Sequence, residues 1–294
     1  MVNKKSSFYL FALSTLIGAS EPMLATAQPA GEPATTEEGR TFQVPSFRHI
    51  DSTQPVPDLR AVKTVRFLTD DDFPPFSYRE GDGELTGFNV SLARGLCADL
   101  RLTCEFIPTP WEDLTPALER GAGDAILAGL KISQATVGQL DFTRPYYRSL
   151  ARFAVRAESP LAEADLRSLA GKRVGVLTGT AHEAYLAANF GRSNIRPFPE
   201  ETEAREALRT GRIDALFDDA TRHMFWLAAE DSRGCCEFAK GAYVAPDYFS
   251  PPMAIAVKRG NETLREVLDY GLDRLQTSGA FAETYRRFFP MSPW

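Results

Sequence analysis

The sequence of 294 residues predicts an α/β protein built from two lobes of similar design. The main observation is an internal repeat of the spacing Leu-x-x-Gly-x-x-Asp-Ala, which occurs at 118–125 and again at 208–215. A second pair of similar segments precedes it, at 65–69 and 174–178. In each half, a strand, a loop and helical stretches lead to Asp-Ala and another apolar strand. Two such lobes would enclose a cleft, which is where small ligands commonly bind.

The first 27 residues have the pattern of a secretory signal peptide rather than of folded structure. Lys4 and Lys5 precede a mostly apolar run over 8–19, and Ala25-Thr26-Ala27 is a small-residue cleavage pattern. The alternative is an uncleaved membrane anchor, but the apolar run is shorter than the roughly 20 residues that a membrane span needs. We therefore expect a mature chain that begins near Gln28 and is soluble outside the cytoplasm.

The segment that follows, 28–60, is rich in proline, threonine, glutamate and glutamine, which is typical of a flexible N-terminal arm. The rest of the chain suits two lobes of ordinary size. The whole sequence has a net charge of −6, which argues against a nucleic-acid partner because such a partner requires a basic face. This charge does not determine the sign of a ligand, since the charge of a pocket is local.

In the first lobe, the alternating and β-prone residues at 64–69 predict a strand. Leucines four residues apart predict an amphipathic helix over 88–100. The further elements predicted for this lobe are a strand at 104–107, a helix at 114–120 and a buried strand at 124–130.

The second lobe repeats this scheme. Its predicted elements are strands at 173–177 and 213–217 and helices at 181–190, 200–209 and 220–229. An apolar strand at 253–257 and a long amphipathic helix with leucines at 264, 268, 272 and 275 follow. The chain closes with a helical aromatic stripe, which we interpret as core packing; it consists of Phe281, Tyr285, Phe288 and Phe289.

The four cysteines fit an oxidising compartment. Cys97 and Cys104 lie where a helix leads into a strand, so a disulfide there would lock that turn, and no nearby histidine or second matching pair favours a metal site. Cys235 and Cys236 are adjacent in sequence. A bond between neighbours is strained, so free or differently paired thiols are an equal alternative for them.

Several motifs occur in an order and spacing that resembles the family 3 extracytoplasmic solute-binding proteins, the polar amino-acid receptors of ABC importers. They are FPPFSY at 73–78, GFN at 87–89, WEDL at 111–114, GDA at 123–125, DFTRPYY at 141–147, GKRVGV at 171–176 with Gly179-Thr180, and GRIDA at 211–215. The resemblance extends over 62–289. It implies a type II fold similar to periplasmic binding proteins, in which two crossover segments, near 147–156 and 250–257, join two α/β lobes.

Under this resemblance, lobe 1 would comprise 61–149 and 251–294, and lobe 2 would comprise 150–250. The chain would be a periplasmic monomer that captures a small polar solute, such as an amino acid or a related zwitterion or organic anion. It would close its lobes on this solute without a cofactor and deliver it to a membrane ABC permease. The family also implies a disulfide between Cys97 and Cys104.

The resemblance assigns ligand contacts to both lobes. Asp70, Phe73 and Trp111 would contact the ligand from lobe 1, although Trp111 could instead be a packing residue. Thr180 would bind a ligand carboxylate at the start of a helix, where backbone amides are exposed. Asp219 would bind the ligand ammonium group, or its neighbour Asp218 would do so if the register is shifted by one residue. The alternative role of Asp219 is as the N-cap of the following helix.

The chain departs from the family pattern where an arginine normally clamps the α-carboxylate of the ligand. Thr136 stands at that position and carries no charge. On the same loop as Gly129, another ligand-binding position, Lys131 replaces a small hydroxylic residue, and we hypothesise that it supplies the missing charge. The alternative is that Lys131 points to solvent. Since lysine offers a point charge rather than a fork, the bound anion need not be an α-carboxylate.

The sequence predicts neither catalysis nor a metal site. The three histidines, His49, His182 and His223, do not have a metal-ligand spacing, and we expect His182 to be a packing or solvated residue. The family fold also occurs in enzymes such as cyclohexadienyl dehydratases, so a periplasmic enzyme of this type is an alternative function. A receptor that serves a periplasmic dehydrogenase or a sensor is another.

Overall fold

The computed structural model describes residues 44, 46–50, 55–130, 132, 134–249 and 252–293. The predicted signal peptide and Lys131 lie outside these residues. Among the described residues, no helix has the length and apolar character that crossing a membrane requires.

The strands are short and the helices are of ordinary length. The strands are β1 (Thr64–Thr69), β2 (Asp72–Phe73), β3 (Ser77–Arg79), β4 (Leu85–Thr86), β5 (Thr103–Pro108), β6 (Ala125–Ile126), β7 (Leu140–Phe142), β8 (Ala151–Arg156), β9 (Arg173–Leu177), β10 (Asn194–Phe198), β11 (Ala215–Asp219), β12 (Cys236–Phe238) and β13 (Ala256–Lys258). The α-helices are α1 (Phe88–Leu100), α2 (Leu114–Glu119), α3 (Gln134–Val137), α4 (Ala181–Asn189), α5 (Glu201–Arg209), α6 (Ala220–Ala228), α7 (Glu262–Ser278) and α8 (Ala280–Phe288).

Two five-stranded sheets have the same design. The first has the order β5-β1-β6-β13-β7 and the second β10-β9-β11-β8-β12. In each sheet the first three strands are parallel, and the last two pair antiparallel with their neighbours. The repeat in the sequence is therefore a repeat in the fold, and the predicted α/β class is confirmed.

The spacing that the two copies of the repeat share has a structural cause that is the same in both lobes. Asp124 accepts hydrogen bonds from the backbone amide of Arg66 on β1, at 2.9 Å, and from its guanidinium, at 2.7 and 3.0 Å. Asp214 binds Arg173 on β9 in the same way, with distances of 2.8, 2.6 and 3.1 Å. Each aspartate thus ties the start of the central strand of its sheet, β6 or β11, to the neighbouring strand, β1 or β9, so the repeated aspartates are structural residues.

The chain crosses between the two sheets twice. Tyr147 forms an antiparallel bridge with Met253 in lobe 1, whereas Ala151 bridges Tyr243 in lobe 2, so the first crossing lies at 148–150. The return crossing runs between Phe249, which packs in the core of lobe 2, and Met253, and it includes two residues that are not described.

One predicted strand is shorter than expected. The apolar run at 124–130 is a strand only at Ala125–Ile126, because the chain then turns away at Gly129, whose φ is 63°. The turn brings Gly129 towards the loop that follows β1. The helices over 88–100, 181–189 and 220–228 agree with the sequence patterns to within one residue.

The aromatic stripe of α8 packs as expected in the core of lobe 1. Phe281, Tyr285 and Phe289 are buried there around Phe88 on α1. Gly271 on α7 allows α1 to approach closely, because a Cβ at that position would lie 2.5 Å from a side-chain carbon of Leu96.

Both pairs of cysteines are disulfide-bonded. Cys97 at the end of α1 is bonded to Cys104 on β5, with Cα atoms 6.1 Å apart, so this disulfide closes the helix-to-strand turn. Cys235 and Cys236 are also bonded to each other, with Cα atoms 3.7 Å apart. For the adjacent pair, the structure therefore has the bonded form rather than free thiols.

Part of the segment that we expected to be a flexible arm is docked on lobe 1. Arg48 is buried, and its guanidinium binds Asp269 at 2.7 Å and Asp273 at 2.9 Å, both on α7. Val44 and Phe47 pack against the core of the same lobe. The composition of the segment did not reveal this docking, because a single arginine provides the anchor.

Candidate functional site

Asp70 follows β1 directly and is buried at the carboxyl end of this strand. Its carboxylate accepts a hydrogen bond from the hydroxyl of Ser77 on β3. Burial raises the pKa of Asp70, and the nearby charges of Asp72 and Asp71 raise it further, whereas the Ser77 hydrogen bond lowers it. A buried carboxyl group with one hydroxyl donor is suited to pair with a cation, which would offset the cost of its burial.

Phe73 lies on β2, and its ring stacks on Phe76 with centroids 4.9 Å apart. Phe73 nevertheless remains 37% exposed, so a ligand can reach it. Gly129 leaves room for this ring: a Cβ at position 129 would lie 2.9 Å from Cε1 of Phe73 and 3.1 Å from Sδ of Met253. The predicted ligand contacts Phe73 and Gly129 are therefore neighbours in the structure.

We expect Gly129→Ala to destabilise the protein by about 2 kcal/mol for two reasons. Alanine is strained in the left-handed backbone conformation of position 129, and its Cβ would clash with Phe73. Gly171→Ala is the matched control: its φ is 73°, but a Cβ there would meet nothing within 4 Å. Urea denaturation of both variants separates the cost of backbone strain, which both share, from the cost of the clash, which only Gly129→Ala has. Equal losses of stability would show that the contact with Phe73 does not constrain position 129.

Trp111 is exposed after β5, the strand that pairs with β1. It begins the 3-10 turn Trp111–Asp113, which follows β5, and it is 53% exposed. Because β1 and β5 are parallel and Thr69 pairs with Pro108, the segments of Asp70 and Trp111 leave the sheet at the same edge. This edge is where ligands bind in open α/β sheets.

In lobe 2, Thr180 is the N-cap of α4. Its hydroxyl accepts the amide hydrogen bond of Glu183 at 3.2 Å and donates to the carbonyl oxygen of Leu177 at 2.7 Å. The Glu183 carboxylate in turn accepts from the amide of Gly179 at 2.7 Å. The loop is thus held by a reciprocal cap of the S/T-x-x-E type, and an anion that uses the Gly179 amide would have to displace Glu183.

Asp219 ends β11 and is the N-cap of α6. One carboxylate oxygen accepts the amides of Thr221, at 2.8 Å, and Arg222, at 3.3 Å, and the other accepts the hydroxyl of Ser149. The N-cap role that we weighed as an alternative is therefore present. It does not consume the carboxylate, because an ionised carboxylate has about four acceptor positions.

The sequence offers Asp218 only as an alternative register for Asp219 and does not reveal the partners that Asp218 acquires on folding. Asp218 is 3% exposed, accepts the amide of Asp219 at 2.8 Å, and lies 3.3 Å from a guanidinium nitrogen of Arg222 and 3.7 Å from Nδ1 of His182. His182 stacks on Phe249 with centroids 4.9 Å apart. Burial lowers the pKa of His182, although Asp218 and Asp219 oppose this shift. The packing role expected for His182 is thus observed.

His223 is a buried structural residue. Its Nε2 lies 3.1 Å from the carbonyl oxygen of Leu216, which requires the neutral ring to donate from that nitrogen. Burial lowers the pKa of His223 to about 4. Within the described part of the chain, no group of three or more His, Cys, Asp or Glu side chains is placed to hold a metal ion.

Two consecutive tyrosines precede the first crossing, and the second of them, Tyr147, contacts both lobes. The charge of Asp70 contributes to raising the pKa of Tyr146, and that of Asp219 contributes to raising the pKa of Tyr147, in both cases after the larger effect of burial. The Tyr147 hydroxyl also bonds to the Thr221 hydroxyl at 2.6 Å. One carboxylate from each lobe therefore lies within electrostatic reach of adjacent residues next to the crossing.

The structure does not show which residue replaces the arginine expected to bind the ligand carboxylate. Thr136 lies on the short helix α3, and Lys131 falls outside the described residues. The proposed compensation by Lys131 stays a prediction.

A large cavity lies away from these residues. It has a volume of about 830 Å³ and is bounded by Ile50 and Val56 of the arm and by Tyr270 and Arg274 of α7. The carboxylates that line it, Glu266, Asp269 and Asp273, are all paired with arginines. The cavity therefore does not compete with the cleft as a site for a cationic ligand.

Comparison with known proteins agrees with the fold and identifies the family. The model of the bacterial extracellular solute-binding proteins, family 3, matches residues 65–291. The chain is 31% identical over 230 residues to the putative ABC transporter arginine-binding protein 2 of Escherichia coli K12, covering 78% of this chain and 92% of that protein. It is 30% identical over 244 residues to the L-arginine-binding protein of Pseudomonas aeruginosa, covering 80% and 91%.

A solved structure gives the same result for the fold. The second substrate-binding domain of a putative amino acid ABC transporter from Streptococcus pneumoniae superposes with a TM-score of 0.66 at 26% identity, covering 76% of this chain and 99% of that domain. The resemblance that the sequence motifs indicated is confirmed.

Proposed function

We propose that this chain, which belongs to the bacterial extracellular solute-binding proteins of family 3, captures a cationic amino acid between its lobes, with L-arginine as the first candidate. The observation that carries the proposal is a carboxylate at the carboxyl end of a strand in each lobe: Asp70 follows β1 and is buried, and Asp219 ends β11 and accepts a hydrogen bond from Ser149 at the first crossing. If the lobes close, these two carboxylates approach each other and repel unless a cation lies between them. The names of the relatives from Escherichia coli and Pseudomonas aeruginosa point to the same ligand class.

The exposed aromatic rings of lobe 1 are consistent with a cationic ligand. A guanidinium or ammonium group over the face of Phe73 or Trp111 would gain roughly 0.5–2 kcal/mol from the cation–π interaction. Asp70 would neutralise the charge from the same wall. Asp219, at the start of α6, would bind a second positive group from lobe 2.

Lobe closure is the proposed mechanism. A ligand that contacts Asp70 in one lobe and Asp219 in the other binds the closed form better than the open form, so it shifts the population towards closure. In this proposal the chain is exported through a cleaved signal peptide, acts as a periplasmic monomer, and docks in its closed form on a membrane ABC permease. The ligand is released without chemical change, so the chain acts as a receptor and not as an enzyme.

We expect L-arginine to compact the protein and to stabilise it. At a ligand concentration of 100 times Kd, binding adds about 2.7 kcal/mol to the free energy of unfolding. Thermal denaturation measures this gain, and small-angle scattering measures the decrease in radius of gyration. L-glutamate is the matched control, since it keeps the α-amino acid group but reverses the charge of the side chain.

Agmatine, which is arginine without the carboxylate, tests the effect of Thr136 in the same assays. Because the chain lacks the usual arginine there, we expect agmatine to lose less than tenfold in affinity relative to L-arginine. Tight binding without compaction would contradict the closure mechanism. Conversion of prephenate or arogenate by the purified protein would overturn the receptor function in favour of a dehydratase.

A further inference from the structure

The docked part of the N-terminal arm, residues 46–50, is held by an unusually complete set of contacts. The side chain of Arg48 is 1% exposed. Besides its two ion pairs with α7, it donates to the carbonyl oxygens of Arg144, at 2.6 Å, and Asp269, at 3.1 Å. Arg144 also binds Asp273 and donates to the carbonyl oxygen of His49 at 3.0 Å. These contacts fix the segment beside the strand that leads to the first crossing.

Phe47, the residue before this anchor, reaches the crossing itself. Its ring lies 5.3 Å from the ring of Tyr147, measured between centroids. Tyr147 is the last residue of lobe 1 before the crossing, and its hydroxyl bonds to Thr221 on α6 in lobe 2 at 2.6 Å. The amide of Thr221 in turn donates to Asp219. A continuous series of contacts therefore leads from the arm, across the hinge, to the carboxylate of lobe 2.

We propose that residues 46–50 act as an intramolecular brace on the hinge, in which Arg48 anchors the segment and Phe47 supports Tyr147. Through the hydroxyl pair of Tyr147 and Thr221, the brace limits the motion of lobe 2 relative to lobe 1. Arm docking thus adjusts how readily the free protein opens and closes. The brace rests on the proposed closure of the lobes but not on the identity of the ligand.

Support for the brace comes from the way in which the other end of the chain crosses the same gap. Arg152 of lobe 2 donates to the carbonyl oxygen of Pro293 at 3.2 Å, and the rings of Phe225 and Phe289 lie 6.3 Å apart across the lobes. Both ends of the described chain are therefore placed to restrain the hinge. The two restraints meet at Tyr147, because Phe289 also stacks on the ring of Tyr147, with centroids 5.7 Å apart.

A double-mutant cycle on the ligand-free protein tests this coupling. Phe47→Ala removes the support and leaves Arg48 in place; Tyr147→Phe removes only the hydroxyl that reaches Thr221. Hydrogen exchange is measured in peptides that cover 218–225. We expect each single variant to exchange about fivefold faster than the parent there, since one hydrogen bond is worth roughly that factor.

The double variant decides the result. If the ring of Phe47 acts through the hydroxyl of Tyr147, the second substitution adds little to the first, and the effects are not additive. Fully additive effects, or unchanged exchange in 218–225 when Phe47→Ala speeds exchange of the arm itself, would overturn the brace. Val56→Ala is the control within the arm, because Val56 is exposed and does not contact the crossing.

Discussion

Asp219→Asn is expected to weaken the binding of L-arginine by about 100-fold or more while leaving α6 intact. Asparagine is as good an N-cap as aspartate, so the amides of Thr221 and Arg222 keep their acceptor. The substitution removes only the negative charge that the ligand ammonium needs. Losing one partner of a desolvated charge pair costs about 2–5 kcal/mol, and each 1.4 kcal/mol is a tenfold change in affinity.

Isothermal titration calorimetry measures this loss, and urea denaturation shows whether the fold is preserved. Asp58→Asn is the matched control, because Asp58 also caps a helical turn, at Leu59–Ala61, but lies in the arm. We expect the Asp58→Asn variant to bind L-arginine with the same affinity as the parent protein. If Asp219→Asn bound L-arginine with unchanged affinity, Asp219 would be a helix cap only, and the cationic-ligand proposal would lose its contact in lobe 2.

The parts of the fold that the sequence predicts well are those in which local pattern and tertiary packing agree. The leucines of 88–100 form one buried face of α1, and the glycine-to-aspartate spacing of the repeat marks the same turn in both lobes. The length of the strand predicted at 124–130 is overestimated, since an apolar run does not show where the hydrogen-bonded pairing of strands stops. The two- and three-residue strands β2, β3 and β4 are too short to produce a periodic signal.

The candidate site also has a part that the sequence predicts and a part that only the fold reveals. Family motifs indicate positions such as Asp70, Trp111 and Asp219, but not the partners that they acquire by folding. Ser149 donates to Asp219 from a position 70 residues away, which no local pattern reveals. Asp218 pairs with His182 across two different elements, and sequence reasoning treated it only as a possible error of register for Asp219.

The same limit explains the arm. Its composition predicts flexibility because proline and polar residues do not form a core, and this holds for averages over a segment. A single arginine that reaches two carboxylates on α7, about 220 residues away in sequence, outweighs the average. Composition describes how a segment behaves without partners, whereas docking depends on one complementary site.

Arg48→Met is expected to destabilise the protein by about 3 kcal/mol. The arginine is fully desolvated, and its removal leaves Asp269 and Asp273 in a buried environment with fewer positive partners. Arg144 and Arg265, which also contact these carboxylates, keep the loss below the upper end of the usual range. Methionine preserves most of the side-chain volume, so the result reports charge and hydrogen bonding rather than a cavity.

The matched control is Arg66→Met, which breaks another Arg–Asp pair of comparable geometry, at 2.7 Å, but with the arginine 37% exposed. Exposed pairs are worth about 0–1 kcal/mol, because water screens the charges and side-chain entropy opposes the contact. The midpoint of urea denaturation, at an unchanged m-value, measures both variants. A loss for Arg48→Met no greater than that for Arg66→Met would show that the arm contributes nothing to the stability of lobe 1, and that Arg48 merely occupies a surface that is stable without it.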